Sequence, residues 1–285
     1  MNPPAHASRR LSAWFWPPPA IARRLWLTIV ASTAYTAFVY WVVPEGASWA
    51  AGWLSVSGLV NAVVLGALVG FRTKAAYDRW WEGRVLWGQL TNDSRNLCLK
   101  AVALAAPPAE DRRELARLVA AFAAALMRHL RGAPPTIPGF AHDPYSPRHG
   151  PAHVAGMVFG LLARWRNDGR IDGHALQLLD AHAQALMNVC GGCERIRNTP
   201  LPGSYLSLLR HGLILSFLLL PWCMINSLGI WALVLQGFVV YFLFGVELIA
   251  EEVENPFGFD PDDLPLERFC ETIRENAAEI LGVES

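Results

Sequence analysis

Two groups of residues in this 285-residue chain have types and spacing suited to chemistry. Cys190-Gly-Gly-Cys193 has the separation of a redox or zinc pair. Glu251, Glu252 and Glu254, with Asp260, Asp262 and Asp263 beyond Gly258, gather oxygen donors around one turn, as a calcium site requires. Each group also has a plainer reading. The five cysteines are odd in number and scattered, with no second pair and no histidine beside Cys190, so local packing suits them better than metal or redox work. Asp263 lies just before a helical pattern at 266–281, where capping is the preferred role. There is no phosphate-binding glycine loop, no HExxH, no serine elbow and no framed pair of catalytic carboxylates, so the chain does not read as an enzyme and implies no cofactor.

The elements that must position these groups are helices. Hydrophobic residues make up 53% of the chain, and they concentrate in its first quarter and near its C-terminus. Four runs qualify as membrane spans: 25–43, 54–71, 212–225 and 228–246. The first has nineteen uncharged residues and would rise about 28 Å as a helix, close to the hydrocarbon thickness. The second carries Gly58, Gly66 and Gly70, poor for helix propensity but good for close helix contact. The third is short and holds Pro221, which predicts a kink or a shortened helix. Between the pairs, residues 72–209 read as a soluble helical domain broken at Pro107-Pro108 and by a Pro- and Gly-rich loop near 132–153. The segments are thus 1–24, N-terminal; 25–71, first membrane pair; 72–209, helical domain; 210–250, second membrane pair; and 251–285, acidic turn and C-terminal helix.

Arg9, Arg10, Arg23, Arg24, Arg72, Lys74, Arg79 and Arg210 flank one side of the spans, and the connectors at 44–53 and 226–227 have no Lys or Arg. Both termini and the middle domain are therefore expected in the cytoplasm. Basic and acidic residues balance at 24 each, so no net charge recruits nucleic acid.

Three segments resemble the bestrophin family, particularly its bacterial members: RWWEGRVLWG, GGCERIRNTPLP and ENPFGFDPDDLPLE. Arg79, Trp80, Trp81 and Glu82, with Asn255, Pro256, Phe257 and Gly258, carry the structural motif, the second four forming a turn that docks the tail on the first four. The resemblance implies an all-α membrane protein with four transmembrane helices and a helical cytoplasmic domain. It implies a homopentameric ion channel in the bacterial cytoplasmic (inner) membrane, whose partners are identical subunits, lipid and permeating monovalent ions. The family's neck positions fall on Val63, Ala67 and Phe71, which also share one helical face by their spacing. Five copies would stack three apolar rings that stop ions by dewetting, with the small Ala67 leaving more of the barrier to Phe71.

The family's cytoplasmic aperture aligns with His174, with Ile171 and Leu176 as alternatives in register; a ring of histidines would make conduction sensitive to pH near neutrality. In animal relatives the acidic run forms a calcium clasp. Here Phe259 replaces an acid and Pro261 interrupts the run, so Asp260, Asp262 and Asp263 are weak calcium candidates. The bacterial resemblance favours monovalent cations. The alternatives are a chloride or anion channel, and a nonconducting membrane scaffold.

Overall fold

A computed structural model describes residues 19–43, 51–134 and 149–284, with backbone alone at 19–20, 51–57, 59 and 60. Most of the N-terminal segment, the connector at 44–50 and the loop at 135–148 lie outside the described residues. Among the described residues every regular element is helical. The order is α1 (Pro19–Val42), α2 (Ala51–Lys100) closing in a π-helical turn (Ala101–Ala105), α3 (Ala109–Leu130), α4 (Gly150–Asn167), α5 (Gly173–Asn198), α6 (Gly203–Leu228), α7 (Trp231–Val253) and α8 (Leu266–Leu281). The chain divides into two compact units, Met1–Asp78 with Leu201–Glu254 and Arg79–Pro200 with Asn255–Ser285. Helix α2 gives its first part to one unit and its remainder to the other.

In the first unit, α1 packs on α7 and α6, and α6 packs on α7. Leu65 and Val69 of α2 meet Leu209, Leu213 and Phe217 of α6 and Val240 of α7. Trp26, Leu27, Trp41, Leu215, Trp231 and Phe242 point outward. Apolar residues on both the inner and outer faces of a helix mark a membrane span rather than the shell of a soluble domain. Three described helices are long and apolar enough to cross a membrane: Ile21–Val42, Gly203–Leu228 and Trp231–Val253.

The third expected span is corrected by α6, which continues through Pro221 and is longer than 212–225 at both ends. Proline has no N–H to give the carbonyl four residues earlier, here that of Phe217. Gln236 of α7 donates its Nε2 to that carbonyl at 3.2 Å and to Ser32 Oγ of α1 at 2.6 Å. Tyr35 Oη donates to the neighbouring carbonyl of Leu218 at 3.3 Å. Side chains of α1 and α7 thus satisfy backbone that the proline exposes, as an apolar surrounding demands.

The second unit has a conventional core. Trp87 and Leu90 of α2, Leu118 and Phe122 of α3, Val158 and Trp165 of α4, Leu179 and Leu186 of α5, and Ile273 of α8 are all buried there. Helix α3 starts after Pro108 with Glu110 and Asp111 in its first turn, where carboxylates suit the positive end of the helix dipole. Asp172 Oδ1 accepts Ala175 N–H at 2.7 Å and caps α5. Gly282 ends α8 in the left-handed region at φ +64°.

Candidate ion pathway

Helix α2 sorts its residues by face. Leu65, Val69, Arg72 and Ala76 turn into the first unit, whereas Val63, Ala67 and Phe71 turn out of it. Val63 is 65% exposed and Phe71 67%, while Arg72, one residue on, is 1% exposed. The outward stripe is therefore apolar as far as Phe71. One turn further it becomes ionic, where Lys74 Nζ donates to Asp78 Oδ2 at 2.8 Å.

The inward Arg72 begins a charge cluster among helix ends. Its Nη2 donates to Glu254 Oε2 at 2.8 Å, and its Nε lies 3.5 Å from Glu247 Oε2. Arg210 reaches Glu247 at 3.9 Å and Glu251 at 3.6 Å, and Arg24 pairs with Glu251 at 3.2 Å. Glu254 Oε1 also accepts the backbone N–H of Leu201 at 3.2 Å. Glu251 and Glu254, read in the sequence as part of a possible calcium run, are thus engaged by arginines. This network was missed because its members lie up to 227 residues apart. The one available signal was a lone Glu247 inside an apolar helix, since an intramembrane charge needs a partner.

In the second unit, Arg79 donates to the carbonyls of Ile196 and Thr199 at 2.6 and 2.5 Å, closing the negative end of α5. Glu82 pairs with Arg195, Trp80 Nε1 donates to Asp262 O at 3.0 Å, and Trp81 is half exposed. Phe257 packs so near Gly83 that a Cβ there would lie 3.2 Å from its ring. Asn255 is exposed, Pro256 is buried, and Pro256 O accepts Leu264 N–H at 2.9 Å.

Asp263 does not cap α8: the cap position is Pro265, with no side-chain bond. Its Oδ2 instead accepts Asp260 N–H at 2.7 Å, closing the turn from within. Gly258 is required by that closure, because a Cβ there would come within 2.6 Å of the same oxygen. Asp260 and Asp262 are exposed. Burial pushes the Asp263 carboxyl up to about 6, against the pull of the Asp260 N–H bond.

The aperture positions separate. His174 is exposed in the first turn of α5, Leu176 is half-buried against the core, and Ile171 is 3% exposed within that core. Ile171 consequently faces its own protomer rather than solvent. Cys190 and Cys193 are both buried; burial pushes the Cys190 thiol up to about 12 and Cys193 higher still, so both are packing groups rather than nucleophiles.

An apolar outer surface, spanning helices and buried ion pairs at their ends define a multi-pass, all-α membrane protein. The sequence model described as Bacterial/Fungal Bestrophin protein matches residues 5–279, and the chain belongs to that family. It is therefore a bestrophin-like channel protein and not an enzyme.

Among its relatives is a voltage-dependent anion channel-forming protein of Nostoc sp., 36% identical over 80% of this chain and 78% of that one. Another of the same description, from Ralstonia nicotianae, is 32% identical over 100% of this chain and 95% of that one. The crystal structure of a bestrophin homologue from Klebsiella pneumoniae covers 93% of this chain and 100% of that one, with a TM-score of 0.81 at 24% identity, a likeness of fold. The expectation of monovalent cations is overturned here, because these sequence relatives are named for anion conduction.

Proposed function

We propose that this chain forms a passive, oligomeric anion channel, with five copies around an axis and the Val63–Ala67–Phe71 stripe of α2 lining its neck. The observation that carries the reading is the stripe itself: large apolar side chains turned out of the protomer on the same helix that hides Arg72. Rings of such residues hold a narrow passage dry until it widens or wets. The relatives named as anion channels support the choice of ion.

In this reading the first part of α2 is a fourth span, the membrane is the bacterial inner membrane, and both termini are cytoplasmic. Residues 25–71 and 210–250 then form the two membrane pairs, and 72–209 and 251–285 the cytoplasmic part. The aperture reading stays with His174, the exposed member of its candidate set.

Purified protein in planar bilayers under asymmetric NaCl tests the proposal. Unitary currents reversing near the chloride equilibrium potential are expected, and reversal near the sodium value overturns the anion assignment. Verified insertion with no current above a protein-free bilayer replaces the channel with a scaffold. For His174, gating and conductance unchanged from about pH 5.5 to 8 remove the proposed pH role.

A further inference from the structure

One cluster in the second unit serves neither the core nor the charge network described above. His129 Nε2 lies 2.7 Å from Glu194 Oε1, and His149 Nε2 lies 2.8 Å from the same oxygen. The two imidazoles stand with ring centres 4.6 Å apart, tilted by 39°. The three side chains come from the end of α3, the cap of α4 and the last turns of α5. All three are partly exposed, so an ion could reach them and keep water in its remaining positions.

We propose that His129, His149 and Glu194 form a binding site for a divalent transition ion such as zinc. Two imidazole nitrogens and one carboxylate are the ligand set of an open zinc site. Tetrahedral ligands on zinc stand about 3.3 Å from one another, so each histidine nitrogen would draw about half an ångström away from the Glu194 oxygen, and all three ligand atoms lie within 4.8 Å of one another. Arg197 donates to His129 O at 2.7 Å and steadies the backbone beneath one ligand.

Loading the site has a local cost. Ala152 N–H donates to His149 Nδ1 at 3.0 Å, so the metal-free neutral ring carries its proton on Nε2 and gives it to Glu194. Coordination through Nε2 requires the other tautomer, with the proton on Nδ1, and Ala152 then loses its acceptor. A bound ion would therefore tie α3, α4 and α5 together while releasing the first turn of α4 from its cap.

Zinc titration of the full-length, tag-free chain in detergent, followed by calorimetry, tests this. One saturable site per chain is expected, weakened at least about 100-fold both in a His129→Ala/His149→Ala variant and in the nearly isosteric Glu194→Gln, which preserves the test where the double variant does not fold. Amide exchange at Ala152 is expected to quicken with zinc. No saturable binding, or equal affinity in folded variants, overturns the proposal. Binding that leaves Ala152 exchange unchanged or slower removes His149 from the ligand set and overturns it as a three-ligand site.

Discussion

Asp263 shows how a single carboxyl can make the C-terminal turn respond to acid. Its carboxyl sits near 6 in the folded chain against an ordinary 3.8, chiefly because it is buried. Between about pH 4 and 6 the native chain therefore holds more protons than the unfolded one, and stability falls as pH rises through that window. Asp263→Asn keeps an oxygen for Asp260 N–H but cannot ionise. It should flatten that slope, raising the thermal midpoint more near pH 7 than near pH 4 relative to the parent chain, as differential scanning fluorimetry would show. Arg72 works in the opposite sense, since its charge is what Glu247 and Glu254 require. Arg72→Met should cost about 3–5 kcal/mol in denaturation, the usual penalty for leaving one side of a buried ion pair without the other.

Among elements, α6 and α7 depend on one another through Phe217 O. Gln236→Leu should cost about 1–2 kcal/mol in detergent unfolding, within the range of interhelical hydrogen bonds in membranes. In a Pro221→Ala background, residue 221 can supply its own N–H, so the same change should cost markedly less; equal costs in the two backgrounds would refute the coupling. Helix type was legible in the sequence because apolar residues recur at helical spacing and Pro107-Pro108 stops one run before another begins. The length of α6 was not, because Arg210 and His211 shorten its apolar run and Pro221 looks like a stop until Gln236 is seen opposite it. The shared face of Val63, Ala67 and Phe71 was accessible from their spacing, and the structure turns that face outward. The approach of His129 and His149 to Glu194 was not, since tertiary packing joins residues 65 and 45 positions apart.

For the whole assembly, the proposed pathway ends in an apolar-to-ionic step that can be adjusted at either side. Phe71→Ala removes five aromatic rings from the neck and should raise open probability or unitary conductance in bilayer recordings, while an unchanged record would place Phe71 away from the passage. Asp78→Asn leaves Lys74 without its partner and should move the reversal potential under asymmetric NaCl further toward chloride. Both readouts require the assembled channel, because the isolated chain has one stripe and no enclosing wall.

The close succession of Phe71 outward and Arg72 inward also limits how α2 can change length. Each residue advances the helix by about 100°, so one added upstream would carry the phenyl ring into the guanidinium's place among the glutamates, and one deleted would carry the guanidinium outward into the phenyl ring's place. An insertion of four would misalign the faces by only about 40°. Viable length variants of this helix should therefore arrive in steps of nearly a full turn.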